Sequence, residues 1–250
     1  MKRELKWLII GIIVGLALKI WCKELIKPVQ AQTTADWYMV AANPQRTSWV
    51  PEEVRGQLYP RWFRPFSPYI NYKTQVIAAN DLLYISTARG LYALYTGTAP
   101  GTTEGNLAWV FPTEQPLGNS PTVVGNTLYV GGFDKRMYAL PANPTPASLP
   151  TDPTSGYRLN NQILWTFEAE AGFETNPLVV NNTLYAGNRD GYFYAIDATN
   201  GNLRWRYQTG GTILFSAAYQ DNTVYFASND MYAYALNATS GSLIWRSSKL

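Results

Sequence analysis

Residues 182–207 read Asn-Thr-Leu-Tyr-Ala-Gly-Asn-Arg-Asp-Gly-Tyr-Phe-Tyr-Ala-Ile-Asp-Ala-Thr-Asn-Gly-Asn-Leu-Arg-Trp-Arg-Tyr. Three short strands and two turns account for this stretch. Leu184–Gly187, Tyr192–Asp197 and Leu203–Tyr207 alternate apolar or aromatic residues with others, as half-buried strands do. Asn188-Arg189-Asp190-Gly191 and Thr199-Asn200-Gly201-Asn202 separate them. Asn, Asp and Gly tolerate the left-handed backbone of a tight hairpin.

The unit recurs. Asn126-Thr127-Leu128-Tyr129 and Asn222-Thr223-Val224-Tyr225 restate its first strand, and Leu83-Tyr84 is a weaker copy. Its second strand returns at Leu91–Leu94, Met137–Leu140 and Ala233–Leu236. Its third returns around Trp109, Trp165 and Trp245. Trp165, Trp205 and Trp245 are spaced by 40 residues, and a Pro-rich insertion, Pro141–Asn160, widens the Trp109–Trp165 step to 56. A further strand precedes each unit, at Asn71–Ile77, Ser120–Val124, Asn176–Val180 and Thr212–Tyr219. Repeats of this length with several short strands signal a β-propeller. The reading is all-β, with four-stranded antiparallel blades at about 70–111, 119–167, 174–207 and 213–247 within a propeller region 59–250. Tyr59–Arg64, carrying Trp62, reads as an orphan outer strand.

Tyr194–Trp205 and Tyr234–Trp245 resemble the repeat of pyrroloquinoline-quinone (PQQ)-type propellers. Asp36-Trp37-Tyr38-Met39 and Asn43–Ser48 resemble the lead-in of such propellers. The resemblance covers about residues 36–250 and implies a ring of seven or eight blades. Four blades plus an orphan strand are then part of a larger ring.

Ahead of the repeats, Lys2, Arg3 and Lys6 precede an apolar run, Trp7–Leu18. Trp7–Cys22 as a helix rises about 24 Å, and Lys19 can snorkel. A small-residue cleavage site at Ala31 lies far beyond that run, behind Lys19, Lys23 and Lys27. Residues 1–26 therefore read as a retained signal anchor, and 27–58 as a linker and lead-in segment. Gly11 and Gly15 form a G-x-x-x-G that lets a second membrane helix approach closely. The resemblance implies a propeller on the periplasmic or extracellular side.

Composition removes several chemistries. No histidine is present, which excludes His-based triads and His metal ligands. The single cysteine, Cys22, excludes an internal disulfide. A net charge of +3 gives no case for nucleic acid. Asp134, Asp190 and Asp230 sit in hairpin turns and read as turn formers. Asn119 and Asn176 occupy like positions and read as strand-end partners. Glu168, Glu170 and Glu174 share a loop leading to an inner strand, a candidate interaction loop, although such clusters are commonly solvated. Trp109, Trp165, Trp205 and Trp245 hold a fixed place in the repeat and read as inter-blade packing.

Quinone enzymes of the family require a Ca²⁺ cage and a catalytic Asp, and many carry a vicinal Cys pair that this chain lacks. No catalytic, cofactor-binding or metal-binding residue is assigned, and neither PQQ nor Ca²⁺ is expected. The sequence reads as a membrane-anchored, non-catalytic propeller that scaffolds other membrane or extracytoplasmic subunits. A PQQ-dependent dehydrogenase or its remnant, and an extracellular carbohydrate-binding or sensor module, are the alternatives.

Overall fold

The computed structural model describes residues 36–48 and 59–249. The expected anchor over 1–26, with Gly11 and Gly15, lies outside them. Among the described residues no helix is long and apolar enough to cross a membrane.

Among the described residues sixteen strands form four antiparallel sheets, each ordered as in the sequence. The first blade is β1 (Ile77–Ala79), β2 (Leu82–Thr87), β3 (Gly90–Tyr95) and β4 (Leu107–Pro112). The second is β5 (Thr122–Val124), β6 (Thr127–Gly131), β7 (Arg136–Pro141) and β8 (Trp165–Glu168). The third is β9 (Leu178–Val180), β10 (Thr183–Gly187), β11 (Tyr192–Asp197) and β12 (Leu203–Gln208). The fourth is β13 (Ala218–Gln220), β14 (Thr223–Ser228), β15 (Tyr232–Asn237) and β16 (Leu243–Arg246).

Local chemistry sets these elements. The hairpins Asn80-Asp81, Asn181-Asn182 and Asp221-Asn222 hold both central residues at positive φ. That is the two-residue turn whose twist matches its strands. Each repeat Trp faces an alanine across the outer strand pair: Ala93–Trp109, Ala139–Trp165, Ala195–Trp205 and Ala235–Trp245. In blades 1, 3 and 4 a bulge follows that alanine and strengthens the local twist.

Two expectations need correction. Tyr59–Arg64 forms no strand. Among the described residues its backbone finds no ladder partner, and the segment docks through Trp62 on Gly105 and Arg64 on the Gly105 carbonyl. The inner strands are also shorter than the apolar pattern suggested, three residues each. Pro121 and Pro177 lack an N–H for the ladder. Upstream residues bond to neighbouring blades instead: Ile213 N–H donates to the Asn188 carbonyl at 3.0 Å.

The cores lie between consecutive sheets. Tyr84, Trp109, Leu128 and Tyr138 fill the first interface. Tyr129, Met137, Trp165, Phe173 and Tyr194 fill the second. Tyr185, Phe193, Phe226 and Tyr234 fill the third, with Phe193 and Phe226 stacked at 4.0 Å. Residues 36–46 cross the inner strands. Trp37 bridges Ala78, the Tyr38 carbonyl accepts from Val123 N–H, and the Pro44 carbonyl accepts from Tyr219 N–H. Met39 is buried in the third interface.

Candidate functional site

The turn between the second and third strands of blades 2–4 carries Asp134, Asp190 or Asp230. Each carboxylate accepts from the backbone N–H two residues on and from a tyrosine hydroxyl four residues on. The Asp190 and Asp230 carboxylates also accept from Glu170 N–H and Gly210 N–H, tying each turn to the preceding outer loop. Burial and the acceptor carboxylate push the phenols of Tyr138 and Tyr234 up to about 12. Burial and Asp190 raise that of Tyr194 too. These tyrosines are structural donors and stay protonated at neutral pH.

A second relay runs along the inner edge. Gln75 N–H donates to Ser120 Oγ (2.7 Å), Ser120 N–H to Asn176 Oδ1 (2.8 Å), and Asn176 N–H to Ser216 Oγ (2.9 Å). Ala41 N–H continues it backwards to Gln75 Oε1 at 3.2 Å. Each blade therefore supplies a side-chain acceptor to the one before it. Asn119 is buried and donates to the Glu174 carbonyl. Arg46 donates to the Ala217 and Val40 carbonyls, and burial lowers its pKa to about 10.

At the end of the inner edge where this relay lies, loops of all four blades gather around Glu174. Its carboxylate meets Lys73 of the first-blade loop at 3.8 Å and Arg189 of its own blade at 3.2 Å. The Lys73 ammonium lies 5.1 Å from the Phe215 ring of the fourth-blade loop and 6.0 Å from the Tyr72 ring. Arg189 covers the Phe133 ring at 5.8 Å. Phe215 (59 % exposed) and Tyr72 (85 %) flank this cluster at the surface. Of the expected acidic loop, Glu174 alone has its carboxylate here. Glu168 pairs with Arg136 at 3.6 Å, both well exposed, and Glu170 enters the turn relay through its backbone. Lys73, Arg189 and Phe215 escaped the sequence reading. Aligning Gln75 with Asn176 sets Lys73 opposite Glu174, a charge reversal at one repeat position that would have revealed the pair.

The repeat tryptophans follow one docking rule with a graded outcome. Trp165 Nε1–H donates to the Ala198 carbonyl of the next blade (2.9 Å), as does the Tyr129 hydroxyl (3.1 Å). Trp205 and Tyr185 share the Ala238 carbonyl in the same way, at 3.1 and 3.0 Å. The indoles lie on Gly201 and Gly241, where an added Cβ would come within 2.8 and 2.6 Å of the ring. Tyr84 reaches the Ala142 carbonyl, but Trp109 Nε1 is buried without an acceptor among the described residues, beside the insertion that replaces the glycine turn. Trp109 is 1 % exposed, Trp165 8 % and Trp245 46 %.

Four-stranded antiparallel meanders packed face to face, with recurring Tyr and Trp contacts between them, define a β-propeller architecture. The family model described as outer membrane protein assembly factor BamB matches residues 157–249. No curated protein matches the chain. BamB from Moraxella catarrhalis superposes with a TM-score of 0.54 at 16% identity, covering 71% of this chain and 49% of that one. A quinohemoprotein alcohol dehydrogenase from Pseudomonas putida gives 0.64 at 19% identity, covering 85% and 40%. That from Comamonas testosteroni gives 0.64 at 15%, covering 88% and 42%. The chain thus spans less than half the length of each of these three structures. At these identities the likeness establishes the fold alone.

Proposed function

We propose that this protein is a non-catalytic PQQ-like propeller, held at a membrane by its N-terminal segment, that serves as a protein-interaction subunit of an extracytoplasmic complex. The observation that carries the reading is the inner-edge end of the blades. The Glu174 carboxylate holds both Lys73 and Arg189 there, and exposed Tyr72 and Phe215 flank Lys73. Tyr and Arg are enriched in protein-binding hot spots. The matched family model bears the name of an assembly factor, which agrees with this role.

The same cluster does not fit a calcium–quinone pair. A calcium ion takes 6–8 oxygen ligands, several of them carboxylate. The one carboxylate gathered here is already shared by two cations. Among the described residues no group of three or more His, Cys, Asp or Glu is placed to hold a metal.

The test is recovery of the full chain from its source membrane, with partner subunits read by native mass spectrometry. Tyr72→Ala/Phe215→Ala should lose those partners while keeping the wild-type melting temperature. Dye-linked alcohol oxidation by the full chain after loading with PQQ and Ca²⁺ would overturn the proposal, as would partner recovery undiminished by the double substitution.

A further inference from the structure

Blade 1 departs from the repeat at one position of its second strand. In blades 2 and 3 the residue two after the strand's tyrosine is a glycine, Gly131 or Gly187. A residue from the loop leading into the next blade fills the space beside it. These residues, Phe173 and Ile213, are fully buried. A Cβ on Gly131 would come within 2.5 Å of Phe173 Cβ, and one on Gly187 within 2.1 Å of Ile213 Cγ2. Blade 1 carries Ser86 there, two after Tyr84, and Leu117 stands in the place of Phe173 and Ile213. The serine side chain holds the loop off. Leu117 N–H reaches the Thr87 carbonyl at 3.3 Å, where Phe173 and Ile213 make the equivalent bonds at 3.0 Å. A cavity of about 200 Å³ lies between this loop and the strand.

The chemistry of the lining is specific. Ala88, Pro116, Leu117 and Phe133 give the cavity apolar walls, and exposed Tyr69 stands at its mouth. No Asp, Glu, Lys or Arg lines it. Ser86 belongs to the wall, is 2 % exposed, and its hydroxyl is buried without a hydrogen-bond partner. The neighbouring Thr87 hydroxyl is already engaged, donating to the Gly90 carbonyl and accepting from Arg89 N–H. A buried polar group left unpaired is costly, and a group arriving in the cavity can relieve that cost.

We infer that this cavity is a binding site for a small neutral ring compound carrying one hydrogen-bonding group, of the size of a phenol. The inference is independent of the function proposed above, since neither Lys73 nor Glu174 lines the cavity. Size sets the first limit. A cavity of about 150 Å³ holds a benzene ring, so this one takes a ring and one small substituent. Charge sets the second. An ion buried without a counter-charge is strongly disfavoured, and these walls supply none. Ser86 sets the third, because its hydroxyl can donate to or accept from the substituent and fix which end of the ring faces the strand.

The experiment titrates the full chain in detergent with p-fluorophenol and reads the fluorine NMR signal against detergent alone. Binding should saturate with a Kd of about 1 mM or tighter. Fluorobenzene, which lacks the hydroxyl, should bind about two- to tenfold more weakly, and p-fluorobenzoate should not saturate. Ser86→Ala should erase the advantage of p-fluorophenol over fluorobenzene while still binding both, which shows that its cavity is intact. Ala88→Leu, which fills the cavity, should abolish both at an unchanged melting temperature. Absence of saturation in the wild-type chain overturns the inference, as does a p-fluorophenol affinity that neither substitution changes. So does release of partner subunits by p-fluorophenol from the complex recovered from the membrane, because the cavity then holds a partner's side chain.

Discussion

Replacing Gly201 with alanine isolates what the tryptophan docking contributes. Two penalties combine at this position. The backbone sits at φ +78°, where a Cβ costs roughly 1–2 kcal/mol. The new methyl would also lie 2.8 Å from Trp165 Cε3 and 2.9 Å from Cδ2. Trp165 cannot swing away freely, because its indole N–H is bonded to the Ala198 carbonyl and its ring lies against Tyr129. Overpacking of that kind costs about 1–3 kcal/mol. Gly156 supplies the control: its φ is +72°, and an added Cβ meets nothing within 4 Å. Gly156→Ala should therefore show the backbone penalty alone. The expected difference between the two variants is about 1–3 kcal/mol. In a chain of this size that difference lowers the melting temperature by roughly 2–12 °C. Thermal and urea unfolding, followed by far-UV circular dichroism, read it directly. Trp165→Ala should erase most of it, since the methyl then has room. Equal losses for Gly201→Ala and Gly156→Ala would refute the docking argument.

Three further outcomes are expected. Tyr185→Phe should destabilise by about 0.5–1.5 kcal/mol, because it removes the bond to the Ala238 carbonyl, while Tyr225→Phe should be neutral in the same unfolding assay. Glu174→Gln should cost about 1–2 kcal/mol, between an exposed pair and a buried one, whereas Glu168→Gln should stay within about 0.5 kcal/mol in urea unfolding. Burial works against the Asp230 carboxylate, but the Tyr234 hydroxyl and the Gly210 and Tyr232 N–H groups hold its pKa below the ordinary 3.8. Its stabilisation is present above that ordinary value and is lost as pH falls through the lower folded one, so Asp230→Asn should flatten the stability profile below about pH 4.

The four sheets were legible because the strand alternation and the Asn, Asp and Gly turns are local signals repeated four times. Trp62 was legible as a repeat tryptophan although its segment is no strand. Its side chain reads Gly105 as Trp165 reads Gly201, but ladder formation depends on a partner strand that no local pattern reports. The inner strands were overextended because the apolar pattern continues through residues whose N–H groups serve the next blade. The meeting of Lys73 with Glu174 was illegible residue by residue. It joins loops about a hundred positions apart, and only comparison of equivalent positions exposes it.

The inner-edge relay and the Tyr–Trp docking point the same way along the chain: every blade lends an acceptor to its predecessor. Completion of a blade is thus a property of the residues that follow it. During synthesis, at about 5–20 residues per second, a finished blade waits roughly 2–8 s for the next 40 residues before its tryptophan is covered. Maturation should proceed as a wave one blade behind the emerging chain. Released chains truncated after residue 208 should leave Trp205 open to oxidation, and released chains truncated after residue 246 should protect it.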